Sequence, residues 1–185
     1  MTSLSHACPP EFIALAEKLA DAARPVVRKY FRTPVAVDVK ADDSPVTVAD
    51  REVEAAMRVL IREAFPDHGI LGEEHGRENV DADYVWVLDP IDGTKAFITG
   101  KPSFGTLIAL CENGAPILGV IDQAITQERW IGGRGLPTTL NGEIVRTRAC
   151  DALEKAYAYT TGPEYFDDTT RPGWERIAAR VKLPR

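Results

Sequence analysis

The spacing of apolar residues predicts two long amphipathic helices in the N-terminal third of the chain. Residues from Pro10 to Phe31 place apolar side chains on one face at intervals of three and four, as in a helix that packs against a core. The stretch from Asp50 to Phe65 repeats this spacing, and Pro66 ends it. Thr47 and Asp50 both suit the N-cap of this second helix.

Strand-like runs separated by short turns follow the second helix. Strands are predicted at Tyr84–Leu88, Phe104–Cys111, Ile117–Ile125, Arg129–Ile131 and Ala156–Thr160. The runs between Phe104 and Ile131 are expected to pair antiparallel, since Asn113-Gly114 is a strong hairpin signal. Alternation also predicts a strand at Val35–Lys40, and apolar spacing predicts a last helix at Trp174–Val181.

The run from Trp86 to Thr94 carries an apolar strand into a turn that bears two carboxylates. Asp89 and Asp92 share this turn with Pro90 and Gly93. Carboxylates at the end of a buried strand are costly unless a positive group meets them. Mg²⁺ fits, because it takes oxygen ligands and is commonly held by one or two carboxylates plus a substrate phosphate. The run therefore predicts a metal site.

A second acidic cluster, Gly72-Glu73-Glu74, lies upstream after another short apolar run. An isolated Glu-Glu pair is usually a solvated loop, and this alternative stays open from the pair alone. If the two strands are neighbours in a sheet, however, the two acidic clusters converge. Several carboxylates would then surround more than one metal ion, an arrangement that clamps the attacking and leaving oxygens of a displacement.

A third element lies at the start of the second helix. The segment from Lys40 to Asp50 ends in an aspartate that precedes the helical pattern. Asp50 can cap the helix and also face a site at the helix end, so the capping role does not exclude a catalytic one.

These three elements, in this order, resemble the inositol monophosphatase family of metal-dependent phosphomonoesterases. The matching pieces are Ser44-Pro45-Val46-Thr47 with Ala49-Asp50, then Gly72-Glu73-Glu74, then Asp89-Pro90-Ile91-Asp92-Gly93-Thr94. The following segment, Lys95 to Leu110, is most similar to the histidinol-phosphatase branch. Inositol-specific members usually carry another residue in place of Lys95 and lack the run Phe104-Gly-Thr-Leu107.

The resemblance implies a set of metal ligands. Glu73, Asp89 and the backbone carbonyl of Ile91 would hold one Mg²⁺, and Asp89 with Asp92 would hold a second. Glu73 would also contact a third, weaker metal site. Two or three Mg²⁺ ions are thus expected, with Mn²⁺ as a possible substitute, and no organic cofactor.

The resemblance also implies catalytic and phosphate-binding roles. Asp50 and Thr94 would orient the attacking water, with Glu73 counted among the catalytic residues. Asp92 and the amides of Gly93 and Thr94 would face the substrate phosphate, where a helix start favours an anion. Glu74 would be supportive at most, and Lys40 would be either a basic group near the metals or a solvated lysine.

The implied activity is Mg²⁺-dependent hydrolysis of a small phosphate monoester by activated water, without a covalent enzyme intermediate. The branch implies L-histidinol phosphate as substrate, giving L-histidinol and phosphate in histidine biosynthesis. Two alternatives stay open: an inositol or other small-molecule phosphatase, and a catalytically impaired metal-binding fragment. None of the three cysteines and three histidines forms a plausible nucleophile pair or a metal motif by spacing.

The family resemblance implies an α+β fold, a layered α-β-α-β-α sandwich with an N-terminal antiparallel sheet and two long helices. We expect a metal-binding phosphatase domain at 1–150 and the start of a second α/β domain at 151–185. That second domain is expected to be incomplete, because family members continue past the position of Arg185 and supply there an aspartate for the second metal. The chain is expected to be a fragment or a variant lacking part of this domain.

Composition fits a globular enzyme of 185 residues with a hydrophobic content of 44%. The formal net charge of −6 argues against nucleic acid as the main partner. No apolar run is long enough to span a bilayer, and the N-terminus does not resemble a signal peptide. Three unpatterned cysteines favour a reducing cytoplasm. The resemblance adds a homodimer as the expected assembly of an intact family member.

Overall fold

The computed structural model describes residues 7–34, 36–39 and 45–185. It divides into two compact units, Met1–Val145 and Arg146–Arg185. In chain order the elements of the first unit are α1 (Pro10–Tyr30), β1 (Val37–Val39), β2 (Pro45–Thr47), α2 (Val48–Ala64), β3 (Gly69–Gly72), β4 (Gly76–Glu78), β5 (Tyr84–Asp92), α3 (Thr94–Ile98), β6 (Gly105–Glu112), β7 (Ala115–Gln123), β8 (Glu128–Gly133), β9 (Leu136–Leu140) and β10 (Glu143–Ile144).

Eight of these strands form one sheet in the order β10-β9-β8-β7-β6-β5-β3-β4. The expected antiparallel pairing is confirmed for β6, β7 and β8. The same pairing also joins β5 to β6, β8 to β9, β9 to β10 and β3 to β4. The neighbours β3 and β5 are parallel, so the sheet is mixed. Strand β4 lies on the outer side of β3, and the chain therefore returns to the inner side before β5 begins. Strands β1 and β2 form a separate antiparallel pair.

Helices α1 and α2 pack against each other and against one face of the central strands. In α1 the buried side chains recur every three or four residues, at Phe12, Leu15, Ala16, Leu19, Ala20, Ala23 and Val27. The matching face of the sheet is formed by alternate strand residues, including Trp86, Leu88, Ile108, Leu110 and Val120. This core packs against β5, and β5 ends in the acidic turn.

The predicted boundaries agree with the observed ones to within a few residues. Helix α2 begins at Val48 rather than Asp50, because Thr47 takes the N-cap. The strand predicted at Val35–Lys40 is observed at Val37–Val39, while residues 35 and 40 lie outside the described residues.

The second unit contains a helix, α4 (Arg171–Ala178), and a parallel pair of short strands, β11 (Tyr157–Ala158) and β12 (Leu183–Pro184). The helix begins earlier than the predicted Trp174, because Pro172 is tolerated in a first helical turn. No hydrophobic side chain described in this unit is fully buried. Among the helices that the structure describes, none is long and apolar enough to cross a membrane.

Candidate metal centre

The parallel pairing of β3 and β5 brings the two acidic clusters together. Gly72 lies opposite Leu88 in the register, so the next residue of each strand is an acid, Glu73 or Asp89. The amide of Glu73 continues the ladder by donating to the carbonyl oxygen of Leu88 over 3.2 Å. The expected convergence of the two clusters at one edge of the sheet is therefore observed.

The turn after Asp89 is shaped by an interruption of the β5–β6 ladder. Asp89 pairs with Leu107 and Asp92 pairs with Gly105, so β5 has one residue more than its partner over this step. Such a bulge re-aims the side chains that follow it. The buried hydroxyl of Thr106 donates to the carbonyl oxygen of Pro90 over 2.8 Å and fixes the bulged segment.

Gly93 ends this turn with a left-handed backbone. Its φ is 92°, and a Cβ at this position would lie 3.1 Å from the carbonyl oxygen of Ser103. Only glycine combines this φ with so close a neighbour at low cost. Helix α3 starts directly afterwards at Thr94, which places the Gly-Thr part of the motif at a helix start.

Asp50 belongs to a capping box at the start of α2. Its Oδ2 accepts hydrogen bonds from the amide and the hydroxyl of Thr47, at 2.8 and 2.5 Å. Burial raises the pKa of Asp50, the bonds from Thr47 lower it, and the charge of Glu73 raises it further. The aspartate thus caps the helix and lies within electrostatic reach of Glu73. A carboxylate has about four lone-pair sites, so it retains capacity for a further donor.

Asp89 has the most perturbed acidity of these residues. Burial, followed by the charge of Glu73 and a hydrogen bond with that residue, raises the pKa of Asp89 to about 8. The charges of Asp92 and Asp50 add to this effect. Two carboxyl groups can share a hydrogen bond only when one of them carries a proton. Without a cation, therefore, this cluster holds a proton near neutral pH.

The surroundings of one oxygen of Asp89 indicate whether a metal ion fits between the two acidic clusters. Asp89 Oδ1 is buried and is the one such side-chain atom, among the residues described, that has no hydrogen-bond partner. Buried polar atoms are nearly always satisfied, and an exception calls for a missing ion or water. A carboxylate oxygen beside other acids suits Mg²⁺. Among the described residues, no group of three or more His, Cys, Asp or Glu side chains is placed so that it could hold a metal ion.

The other predicted residues lie around this point. Ile91 is buried, and its carbonyl oxygen accepts a hydrogen bond of 3.1 Å from the hydroxyl of Thr94. Asp92 and Gly93 are exposed beside it. The backbone amide of Glu74 donates to the buried carboxylate of Glu54 on α2. The predicted role of Lys40 falls outside the described residues, as does Ser44 of the first motif.

A groove of about 550 Å³ opens beside Asp89 on the sheet face opposite α1 and α2. Apart from Asp89 and Thr138 its lining is apolar or glycine, from Val87, Leu107, Ile108, Ala109, Gly119, Val120, Ile121, Trp130 and Gly132. The sequence did not indicate this groove, because residues of five strands, β5 to β9, form it together, and the order of these strands had to be known first.

Sequence reasoning also missed two buried polar residues, Thr106 and Glu54. Thr106 lies within the predicted strand with no signal of its own. Glu54 carries a signal, since Glu54 and Arg58 form an opposite-charge pair at the helical spacing of four, next to apolar Val53 and Met57.

Comparison with known proteins decides the family. The sequence profile of the inositol monophosphatase family matches residues 9–179. The chain belongs to this family. Its fold is the α+β fold of solved family members. An inositol monophosphatase from Zymomonas mobilis superposes with a TM-score of 0.84 and is 47% identical in sequence. The match covers 97% of this chain and 69% of that one.

Curated relatives in the family include two named phosphatases. The bifunctional phosphatase IMPL2, chloroplastic, of Arabidopsis thaliana is 53% identical over 94% of this chain and 51% of its own. The histidinol-phosphatase of Mycobacterium tuberculosis is 42% identical over 92% of this chain and 65% of its own. The chain thus spans about half to two thirds of the length of these relatives.

Proposed function

We propose that the protein hydrolyses a small phosphate monoester with Mg²⁺, and that the substrate is L-histidinol phosphate. The observation that carries the metal chemistry is the buried, partnerless Oδ1 of Asp89 beside the carboxyl group of Glu73. Glu73, Asp89, the carbonyl of Ile91 and Asp92 would hold the ions. When bound, Mg²⁺ neutralises the phosphate and makes the attacking water more acidic.

The remaining residues position the reactants. The hydroxyl of Thr94 donates its hydrogen to the carbonyl oxygen of Ile91, so the lone pairs of that hydroxyl would be available to accept a hydrogen bond from the attacking water. Asp50, fixed by Thr47, supplies a second acceptor for the same water. The amides of Gly93 and Thr94 are at a helix start and would face the phosphate of the substrate. This is catalysis by positioning and charge, as phosphoryl transfer requires.

Support for the substrate comes from the relatives and from the local sequence. The relatives from Arabidopsis thaliana and Mycobacterium tuberculosis are named a bifunctional phosphatase and a histidinol-phosphatase. The segment from Lys95 to Leu110 resembles the histidinol-phosphatase branch. A role in histidine biosynthesis, a cytoplasmic location and a homodimer remain predictions that accompany this proposal.

An inositol phosphate is the second candidate substrate. The Zymomonas mobilis structure, at 47% identity, is described as an inositol monophosphatase. A third candidate is metal binding without turnover, since the chain spans 51% of its Arabidopsis thaliana relative and the proposed second ion has two carboxylate ligands, Asp89 and Asp92.

Phosphate release in the presence of Mg²⁺ separates the three candidates. The substrates are L-histidinol phosphate, inositol monophosphate and 3′-phosphoadenosine 5′-phosphate, each tested with the unsubstituted chain, Asp89→Asn and Asp83→Asn. Asp83 is an exposed aspartate at the other end of β5 and is the matched control. We expect turnover of L-histidinol phosphate that Asp89→Asn abolishes and Asp83→Asn leaves intact. Preference for inositol monophosphate would support the second candidate, and Mg²⁺ binding without turnover the third.

A further inference from the structure

The turn that carries Glu73 is held by three consecutive backbone amides. The amide of Glu73 donates to the carbonyl oxygen of Leu88 over 3.2 Å, which ties the turn to β5. The next two amides, of Glu74 and His75, donate to the carboxylate of Glu54 on α2 at 2.7 and 3.1 Å. The His75 ring also lies 3.2 Å from the carbonyl oxygen of Arg51 on the same helix.

Glu54 is a fully buried carboxylate, with an exposed fraction of 0%. Its Oε1 accepts from the amide of His75 and from Nε of Arg58 over 2.8 Å, and its Oε2 accepts from the amide of Glu74. Arg58, exposed to 4%, also donates to the carbonyl oxygen of Gly76 and to Glu78. Helix α2 therefore holds the turn on the side that follows Glu73, from Glu74 to Gly76.

Gly72 leaves room for the contact between α2 and the turn that carries Glu73. A Cβ on Gly72 would overlap the carboxylate of Glu54 and the guanidinium of Arg58. The glycine before Glu73 is thus explained by the close approach of a buried ion pair, since any larger residue would push α2 and the turn apart.

We infer that Glu54 is a positioning residue for the metal ligand Glu73. A buried ion pair is a poor way to gain stability, because apolar side chains of similar volume often stabilise a fold as well or better. The ion pair of Glu54 and Arg58 instead determines the position of the backbone next to Glu73. It fixes the backbone on one side of Glu73 while β5 fixes the other, and α2 also carries Asp50. One helix then sets the positions of two acids relative to Asp89. This inference rests on the proposed function for the metal site.

Mg²⁺ affinity measured by calorimetry in substituted chains tests the inference. Glu54→Gln keeps the size of the side chain but replaces one carboxylate oxygen by an NH₂ group. This group cannot accept the hydrogen bond that the amide of Glu74 or His75 donates. We expect the Mg²⁺ dissociation constant to rise about 10- to 100-fold, as for other outer partners of metal ligands. Glu52→Gln removes one negative charge from the same helix, and Val53→Ala opens a cavity beside it. In both controls we expect the dissociation constant to stay within about twofold of the parent value, because neither residue contacts the turn amides.

Unchanged affinity in Glu54→Gln would overturn the inference, and so would an equal loss of affinity in Val53→Ala. Amide hydrogen exchange of the unsubstituted, metal-free chain provides a second test that does not depend on the variant folding. We expect the amides of Glu74 and His75 to be protected from exchange as strongly as those of β3. Exchange at the rate of an open loop would show that Glu54 does not hold these amides and would refute the inference. If the unsubstituted chain binds no Mg²⁺, the proposed function fails, and the exchange result alone then decides whether Glu54 holds the turn.

Discussion

Binding of Mg²⁺ at the candidate centre should release a proton, and the amount should depend on pH. Metal ligands must be deprotonated, so a ligand that carries a proton in the free protein loses it on binding. The pKa of Asp89 is raised to about 8 by burial and by Glu73. At pH 7 the acid is therefore about 0.9 protonated, and at pH 9 about 0.1, from the definition of the pKa.

Isothermal titration calorimetry measures this release. Mg²⁺ is titrated into the metal-free chain at pH 7 in two buffers with different ionisation enthalpies, and the difference in heat gives the number of protons. We expect about 0.9 proton per chain at saturation at pH 7 and about 0.1 at pH 9, following the fraction of protonated Asp89.

The exposed Asp83 supplies the control, since Asp83→Asn should leave the proton count unchanged. Mg²⁺ binding at pH 7 whose heat is the same in both buffers would refute the reasoning, because Asp89 would then already be ionised in the metal-free protein.

Three further predictions follow from the same site. The pKa of Asp89 in the folded protein lies above its ordinary value of 3.8. The contribution of Asp89 to stability is therefore complete below about pH 4 and is lost as the pH rises through about 8. The melting temperature of the EDTA-treated chain should fall over this pH range, and the fall should be smaller in Asp89→Asn. Gly93→Ala should lower the free energy of unfolding in urea by about 1–3 kcal/mol through its positive φ and its contact with Ser103, and by more than Gly114→Ala, whose site also has a positive φ but no neighbour within 4 Å. Thr106→Val should cost about 1–3 kcal/mol by leaving the carbonyl of Pro90 without its donor, and Thr106→Ser should recover most of that loss in the same assay.

Local signals in the sequence predicted most of the secondary structure. The two long helices followed from apolar spacing, and the Asn113-Gly114 hairpin followed from residues that tolerate a positive φ. The family resemblance, now confirmed, supplied the fold class. The acids of the site were found because they stand directly after apolar strands, where carboxylates are unusual.

Other features depended on which strands are neighbours. The parallel pairing that places Glu73 beside Asp89 is a non-local choice, and the sequence suggested convergence without fixing the direction of the strands. The bulge between Asp89 and Asp92 appears only when the register against β6 is known. Glu54 was missed because a charged residue beside an apolar stripe is usually solvated, whereas here the close approach at Gly72 buries it.

The most direct test of the metal centre is a crystal structure of the chain grown with Mn²⁺, with anomalous diffraction used to locate the ion. The proposed centre predicts an anomalous peak within bonding distance of carboxylate oxygens of both Glu73 and Asp89, with Oδ1 of Asp89 among the ligands. A saturating concentration of Mn²⁺ that leaves this position empty, or a peak bound by other residues instead, would contradict it.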